Sequence, residues 1–505
     1  MSVMWKQGQY LRLVIVGGGP AGLAPLLAAH RDGELGTLLD DGVVIVEQST
    51  RLGSGSIGGY AINSDSSGRT FVDCLLGDED TELTRLADHP LARRLADAGD
   101  GTVALRDAGQ FLGLVGEAMG RMVAEHPASR VLTTHHATSV TRTAGGWSVR
   151  IRDLATGAEQ TLLTRHVVLA TGAEQPVERL AAETVAGVNL LQRCAGRLLQ
   201  SGDVLSAGGL PHVAGLLAAK PDPRVVIVGG STSAASVADA LLHRLPEVRF
   251  GAGGVTLMHR RELRIYYPDR ASALAEGYAE WTEDDVCPVS GKVFRFAGFR
   301  LDARELVMQA RGIGGRPPEP RVRLHRLGAS RKSPDGSPKR EVAEPPKPEE
   351  FAAEFTAGFA DDANAVRLLD GADLVIAALG YRPRALPVRD RNGQPVTLLS
   401  QTGPQKPLVD GQCRVLDGDG RPVPGLFGIG LGAGFVPRGR LGGEASFRGQ
   451  ANGLWLWQHD VGSLIIDAVL RPFAPAPALP DSLLPWAPAV SRAAPSLAAA
   501  AVEGV

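Results

Sequence analysis

Cysteine is scarce. The 505 residues hold four, Cys74, Cys194, Cys287 and Cys413. None forms a C-x-x-C or C-x4-C pair, and none sits beside a histidine at metal-ligand spacing. That argues against a redox dithiol and a zinc site, and fits unpaired thiols in a reducing cytoplasm. A dominant charge is missing too. The 53 Lys and Arg against 55 Asp and Glu leave a formal net charge of −2. The whole chain therefore gives no electrostatic reason to expect nucleic acid or an anionic membrane. No stretch holds about 18 uninterrupted apolar residues, so no spanning helix is expected. The early apolar run imitates a secretory signal, but it is accounted for as a strand and a phosphate loop. No Ser/His/Asp set or carboxylate pair stands out, and His135, His136 and His259 read as ordinary strand-end histidines. No metal site is expected.

What is present is glycine, 63 residues of it, with 34 prolines and 44% hydrophobic residues. This is a globular composition with many tight turns and room for roughly two to four domains. The stretch from Leu11 to Leu23 reads LRLVIVGGGPAGL. Its apolar run reads as a buried parallel strand. Gly17, Gly19, Pro20, Ala21 and Gly22 then complete a G-x-G-x-x-G turn into a helix. The glycines allow the turn, the approach of a pyrophosphate and close helix packing, and the helix start offers unpaired N–H groups. A second strand, Val43 to Val46, ends in Glu47, placed to accept from ribose hydroxyls.

Farther on, 51–59 reads as a loop. Tyr60 to Cys74 is either a cavity wall or a solvated loop. Residues 106–126 carry apolar positions at helical spacing, closed by Pro127. Strands are expected over 130–140, 147–151 and 161–170, the last ending in Ala170, Thr171 and Gly172. After a looser connection over 173–219, Arg224 to Val228 opens a second strand–glycine–helix unit with Gly229, Ser231, Ser233 and Ala234. Its next strand, 255–258, is followed by Arg260 and Arg261. Guanidiniums there suit a 2′-phosphate, hence NADPH over NADH, with exposed strand-end arginines as the plainer alternative. The Pro- and charge-rich 311–350 reads as a surface excursion. A strand over 372–378 leads into Gly380, and one over 425–430 ends at Gly430. A helix is expected from Ala445 to Gln458, and a flexible tail after Pro472.

Taken in this order, the motifs resemble the flavoproteins with two dinucleotide-binding domains, the superfamily of flavin monooxygenases, N-hydroxylases and pyridine-nucleotide oxidoreductases. The resemblance covers roughly residues 11–470. It implies an α/β fold of two Rossmann-like, doubly wound dinucleotide-binding domains, the second inserted in the first. The implied boundaries are 1–219 and 381–473 for the FAD-binding domain, 220–380 for the NAD(P)-binding domain, and 474–505 for the tail. Gly17, Gly19, Pro20, Ala21, Gly22, Glu47, Gly58, Gly59, Gly430 and Glu444 would serve FAD. Gly229, Ser231, Ser233, Ala234, Arg260 and Arg261 would serve NADPH, with NADH possible. Ala170, Thr171, Gly172 and Gly380 would bind cofactor where the chain crosses between the domains. A final helix starting near Glu444 would aim its positive end at the flavin.

Departures narrow the branch. The redox cysteine pair of disulfide reductases is absent, as is the F-x-G-x-x-x-H-x-x-x-W fingerprint of Baeyer–Villiger enzymes, and Leu431 stands where many members carry Asp. The run GGSTSAASV is similar to a segment of N-hydroxylases. The resemblance thus implies an NAD(P)H-using, FAD-dependent monooxygenase of a small molecule, possibly an amine, delivering oxygen from a C4a-(hydro)peroxyflavin. A reductase without oxygen insertion and a non-catalytic FAD-binding sensor or scaffold stay open. The expected partners are a small-molecule substrate and O2, without nucleic acid or membrane, and a homo-oligomer is possible.

Overall fold

The computed structural model describes residues 10–77, 79–328, 362–384, 386–403, 406–447 and 449–471. The expected tail and most of the 311–350 excursion lie outside them. The strand Leu11–Val16 is central. Leu13, Val14 and Ile15 are fully buried, each contributing about 1.5–3 kcal/mol of hydrophobic stabilisation. It pairs in parallel with Val43–Val46 on one side and Glu159–Leu169 on the other. This sheet has nine strands. Beyond Glu159–Leu169 the antiparallel strands Trp147–Asp153 and His135–Arg142 extend it, and Pro422–Gly428 adds in parallel alongside Glu159–Leu169. The single strand expected over 130–140 is two strands. Thr134 adopts a left-handed φ of 54° and breaks the run. Arg130–Leu132 pairs in parallel with Val43–Val46, while His135–Arg142 enters the meander.

The second sheet has five parallel strands, in the order Leu198–Gln200, Leu374–Ala377, Val225–Val228, Val255–His259 and Val322–Arg326. Its inner strands read VVIV and LVIA with every residue buried, as a sheet covered on both faces requires. The edge strand Leu198–Gln200 lies ahead of the expected start at residue 220, inside the presumed connection. Val322–Arg326 lies inside the presumed excursion. Both were hidden because edge strands are short and less apolar. The two units are joined where Ala173–Glu174 pairs with Arg382–Pro383. There Arg384 N–H donates to Gly172 O and Thr171 Oγ1 donates to Arg384 O.

Between Val255–His259 and Val322–Arg326 the chain builds a small third core around Ile265, Tyr267, Tyr278, Phe294 and Phe299. The helix expected over 445–458 starts only at Leu454. Before it, Ser446 N–H and Ala451 N–H bond to Asp284 O and Phe435 O on other segments, and Gly453 stands at φ of 154°, outside helical geometry. From there Leu454–Leu456, a π-helical turn Trp457–Val461 and Gly462–Leu470 follow. Among the described residues no helix is long and apolar enough to cross a membrane.

Candidate functional site

The first glycine turn is built backbone to backbone. A Cβ on Gly17, whose φ is +104°, would stand 2.2 Å from Ala170 O, and one on Gly22 would stand 1.8 Å from Gly17 O. The helix Pro20–Arg31 therefore starts tight against the sheet. No side chain caps it, and no acidic residue occupies its first turn, so its N–H groups and dipole face outward for an anion. Gly18 N–H donates to Glu47 Oε2 at 2.6 Å and Ser49 N–H to Oε1 at 2.7 Å. Those bonds fix a buried carboxylate at the end of Val43–Val46. Gly430 reaches the same turn, its Cβ position 3.1 Å from Ala21 Cβ. An open helix start, an oriented acid and a narrow glycine floor fit a dinucleotide such as FAD: Gly19 to Ala21 beside its pyrophosphate, Glu47 beside its ribose. Gly58 instead lies against the helix Leu105–Ala124, where a Cβ on Gly109 would stand 2.4 Å from Gly58 Cα, while Gly59 borders open space.

The second turn repeats the construction. A Cβ on Gly229 would stand 2.4 Å from Ala378 O, and the helix Thr232–His243 also starts uncapped, without an early acid. Ser231 is extended, with φ −123° and ψ 176°, so the backbone does not demand glycine there. This donor set fits a nicotinamide dinucleotide. Arg260 Nη2 donates to Thr184 O at 2.7 Å, and Arg261 is exposed nearby. Gly380, at φ 84°, accepts from Arg179 Nη1.

A cavity of about 2340 Å³ opens beside this second turn. Gly229, Ser231, Ser233, Arg260, Arg261 and Gly380 line it; Gly17, Gly19, Gly22 and Glu47 do not. The structure thus gathers the second set, apart from Ala234, in one cavity, and the first set is not part of that cavity's lining. The wall includes Tyr60, Ile62, Asn63 and Asp65, so the first reading of Tyr60 to Cys74, a cavity wall, holds over the solvated loop. Two expected site residues are corrected. Ala234 lies in the first turn of the helix, but its side chain is fully buried in the core under the second sheet and does not line the cavity. Glu444 starts no helix. Its Oε1 accepts from Phe296 N–H at 2.9 Å and Ala297 N–H at 2.8 Å, so the carboxylate clamps the inserted core to the C-terminal segment.

That insertion supplies residues the motifs missed. Lys292, Arg295, Phe296 and Arg300 line the cavity with Arg264 and Tyr266. The Arg300 guanidinium lies 4.3 Å over the Tyr266 ring and that of Arg295 4.7 Å over Phe296. The signal was present as the basic–aromatic run KVFRFAGFR, which no nucleotide fingerprint covers. Burial, then the charges of Arg300 and Arg295, hold the Lys292 ammonium below its usual range. All four cysteines are free. At Cys287 burial pushes the thiol up, but hydrogen bonds from Gly443 N–H, Ser290 and Arg295 outweigh it and bring it down to about 7.

Residues 11–281 match the model of the pyridine nucleotide-disulphide oxidoreductase family. Over 469 residues the chain is 36% identical to a CMP-5′-(3-aminopropyl)phosphonate hydroxylase of Streptomyces rubellomurinus, a match covering 90% of this chain and 97% of that protein. Among solved structures, the L-lysine 6-monooxygenase of Pseudomonas syringae aligns at 15% identity and TM-score 0.47, over 92% of this chain and 99% of that one. The bacillithiol disulfide reductase of Bacillus cereus aligns at 14% and 0.43, over 91% and 99%.

Proposed function

The chain belongs to the pyridine nucleotide-disulphide oxidoreductase family, and from that premise we propose that it is an FAD-dependent, NADPH-using monooxygenase that N-hydroxylates the primary amine of a nucleotide-linked substrate. The observation that carries this reading is the shared cavity. A dinucleotide cradle at Gly229 to Ser233 and a separate cationic wall open into one space of about 2340 Å³, which has room for a dinucleotide and a second, anionic molecule. The likeness to a hydroxylase over nearly its whole length supports the reaction type and the substrate class.

Bound FAD would supply the redox chemistry, so that amine, O2, NADPH and a proton give hydroxylamine, water and NADP⁺. The chain's own part is binding, orientation and exclusion of water. The open N–H groups after Gly19 would hold the FAD pyrophosphate, and Glu47 would hold the ribose. The helix start at Thr232 would take the phosphates of NADPH, with Arg261 beside its 2′-phosphate. Phe296, Phe447 and Leu431 give the cavity an apolar stretch that limits water near the reacting centre.

The test is direct. Purified holoprotein is given NADPH, O2 and CMP-5′-(3-aminopropyl)phosphonate, and the products are read by mass spectrometry against NADPH consumed. A product one oxygen heavier, formed in step with NADPH oxidation, is expected. NADPH oxidation that leaves the amine unchanged, here and across other amines, would reject the monooxygenase reading for a reductase.

A further inference from the structure

We propose that Lys292, Arg295 and Arg300 form a subsite for the phosphoryl group of the amine substrate, distinct from the dinucleotide cradle at Gly229. The inference rests on the nucleotide-linked substrate of the preceding subsection and adds where that substrate is gripped. The three cations lie on one short segment of the inserted core, whose backbone at Phe296 and Ala297 is tied down by Glu444. All three face the cavity. They are close enough to disfavour one another's charge, since Arg295 and Arg300 both act on Lys292.

Their carboxylate partners are few. Among the described residues neither Lys292 nor Arg300 makes an ion pair. Asp65 and Glu444 both act on Arg300, but only from beyond ion-pair range. Arg295 has Asp460 at 4.0 Å. Elsewhere on the same insertion the pattern is opposite: Arg270, Arg304 and Arg311 pair with Glu283, Glu276 and Glu280. Uncompensated cations in a partly buried wall are unfavourable until an anion arrives. Tyr266 and Phe296 lie under the Arg300 and Arg295 planes, which fixes the guanidiniums; Arg295 Nη1 donates to Leu441 O at 2.7 Å and Arg300 Nη2 donates to Arg295 O, and the remaining N–H groups are left for oxygen acceptors. Three cationic N–H donors lining one cavity beside aromatic rings suit the phosphoryl group of a nucleotide, whose base can stack on such rings.

NADPH is the other possible source of phosphate, so binding is measured with both ligands on the FAD-loaded protein. Calorimetry with CMP should give a dissociation constant about tenfold higher for Lys292→Gln than for wild type, the loss expected for one charge-assisted contact. Cytidine, which lacks the phosphoryl group, and NADP⁺ should change less than about twofold, within ordinary scatter for a contact not made. Lys292→Arg should restore most of the CMP binding. Among the described residues the Lys292 side chain makes no hydrogen bond or ion pair, so this variant decides even where Arg300→Gln fails to fold. CMP binding unchanged in Lys292→Gln, or NADP⁺ weakened as much as CMP, overturns the subsite. The two readings fail separately. Lys292-dependent CMP binding without amine hydroxylation keeps the subsite and removes the activity, and hydroxylation without that dependence does the reverse.

Discussion

Gly19 and Gly22 look alike in the motif and answer to different constraints. At Gly22 a Cβ would press to 1.8 Å on Gly17 O, so the fold itself excludes any side chain. At Gly19 the backbone is extended, with φ −73° and ψ −173°. A Cβ there would meet Gly55 Cα at 3.4 Å, an ordinary contact. The fold tolerates alanine at Gly19, and only the approach of a pyrophosphate argues against it. Gly22→Ala should therefore lose about 3 kcal/mol or more of stability, the range for a backbone clash that cannot relax. Gly19→Ala should keep its unfolding midpoint and bind FAD at least about tenfold more weakly. Thermal unfolding and flavin absorbance per mole of protein separate the two; full flavin occupancy in Gly19→Ala would remove the first turn from the FAD site. The placement of Gly17 in its turn and of Glu47 at the end of its strand was legible because strand, turn and acid occur in a fixed order. Ala234 was not, because a small residue after a turn serves a cradle and a helix–sheet contact equally well.

At the level of elements, the strands were legible where valine and isoleucine run without interruption between turn residues. They were lost where the strand was short and at an edge, as at Leu198–Gln200. The late helix was misplaced by the apolar pattern after Ala445, which cannot show that Ser446 N–H and Ala451 N–H bond to other segments or that Gly453 stands outside helical geometry. The strand Glu159–Leu169 carries a consequence for acid stability. Burial, followed by the charges of Arg12, Arg165 and Arg142, pushes the His166 imidazole down to about 4, and among the described residues its buried Nδ1 has no hydrogen-bond partner. An unfolded histidine titrates near 6.5. Between those values the unfolded chain binds a proton that the native chain refuses, so this contribution is complete above about pH 6.5 and is lost as the pH falls toward 4. The loss is at most about 3 kcal/mol. Urea unfolding at pH 7 and pH 4.5 should show a smaller acid loss for His166→Gln than for wild type. An equal loss in both would assign the acid sensitivity to other groups.

For the whole molecule, the order of motifs made the two-unit architecture legible, because each sheet announces itself with its own strand–glycine–helix turn. The inserted core carrying the cationic wall was invisible, since its residues meet only through tertiary packing. Whole-chain charge misleads for the same reason. A net charge of −2 coexists with a cavity lined by Arg260, Arg261, Lys292, Arg295 and Arg300, and charges distributed this way steer anionic ligands despite the overall balance. At the cradle the two arginines are unequal. Arg260 donates to Thr184 O and lies 4.0 Å from Glu183, so part of its charge and donor capacity is already engaged. The Arg261 guanidinium makes no hydrogen bond or ion pair among the described residues. If a 2′-phosphate is read here, Arg261→Ala should raise KM for NADPH by about tenfold, Arg260→Ala by less, and the double variant by about tenfold to a hundredfold. KM for NADH, which has no 2′-phosphate, should move about threefold or less. The salt dependence of kcat/KM for NADPH should flatten in the double variant, because fewer cations remain to be screened. Steady-state NADPH and NADH oxidation at two ionic strengths tests all of this. Equal effects on the two dinucleotides would make these arginines exposed strand-end residues and leave the cofactor preference to other parts of the cavity.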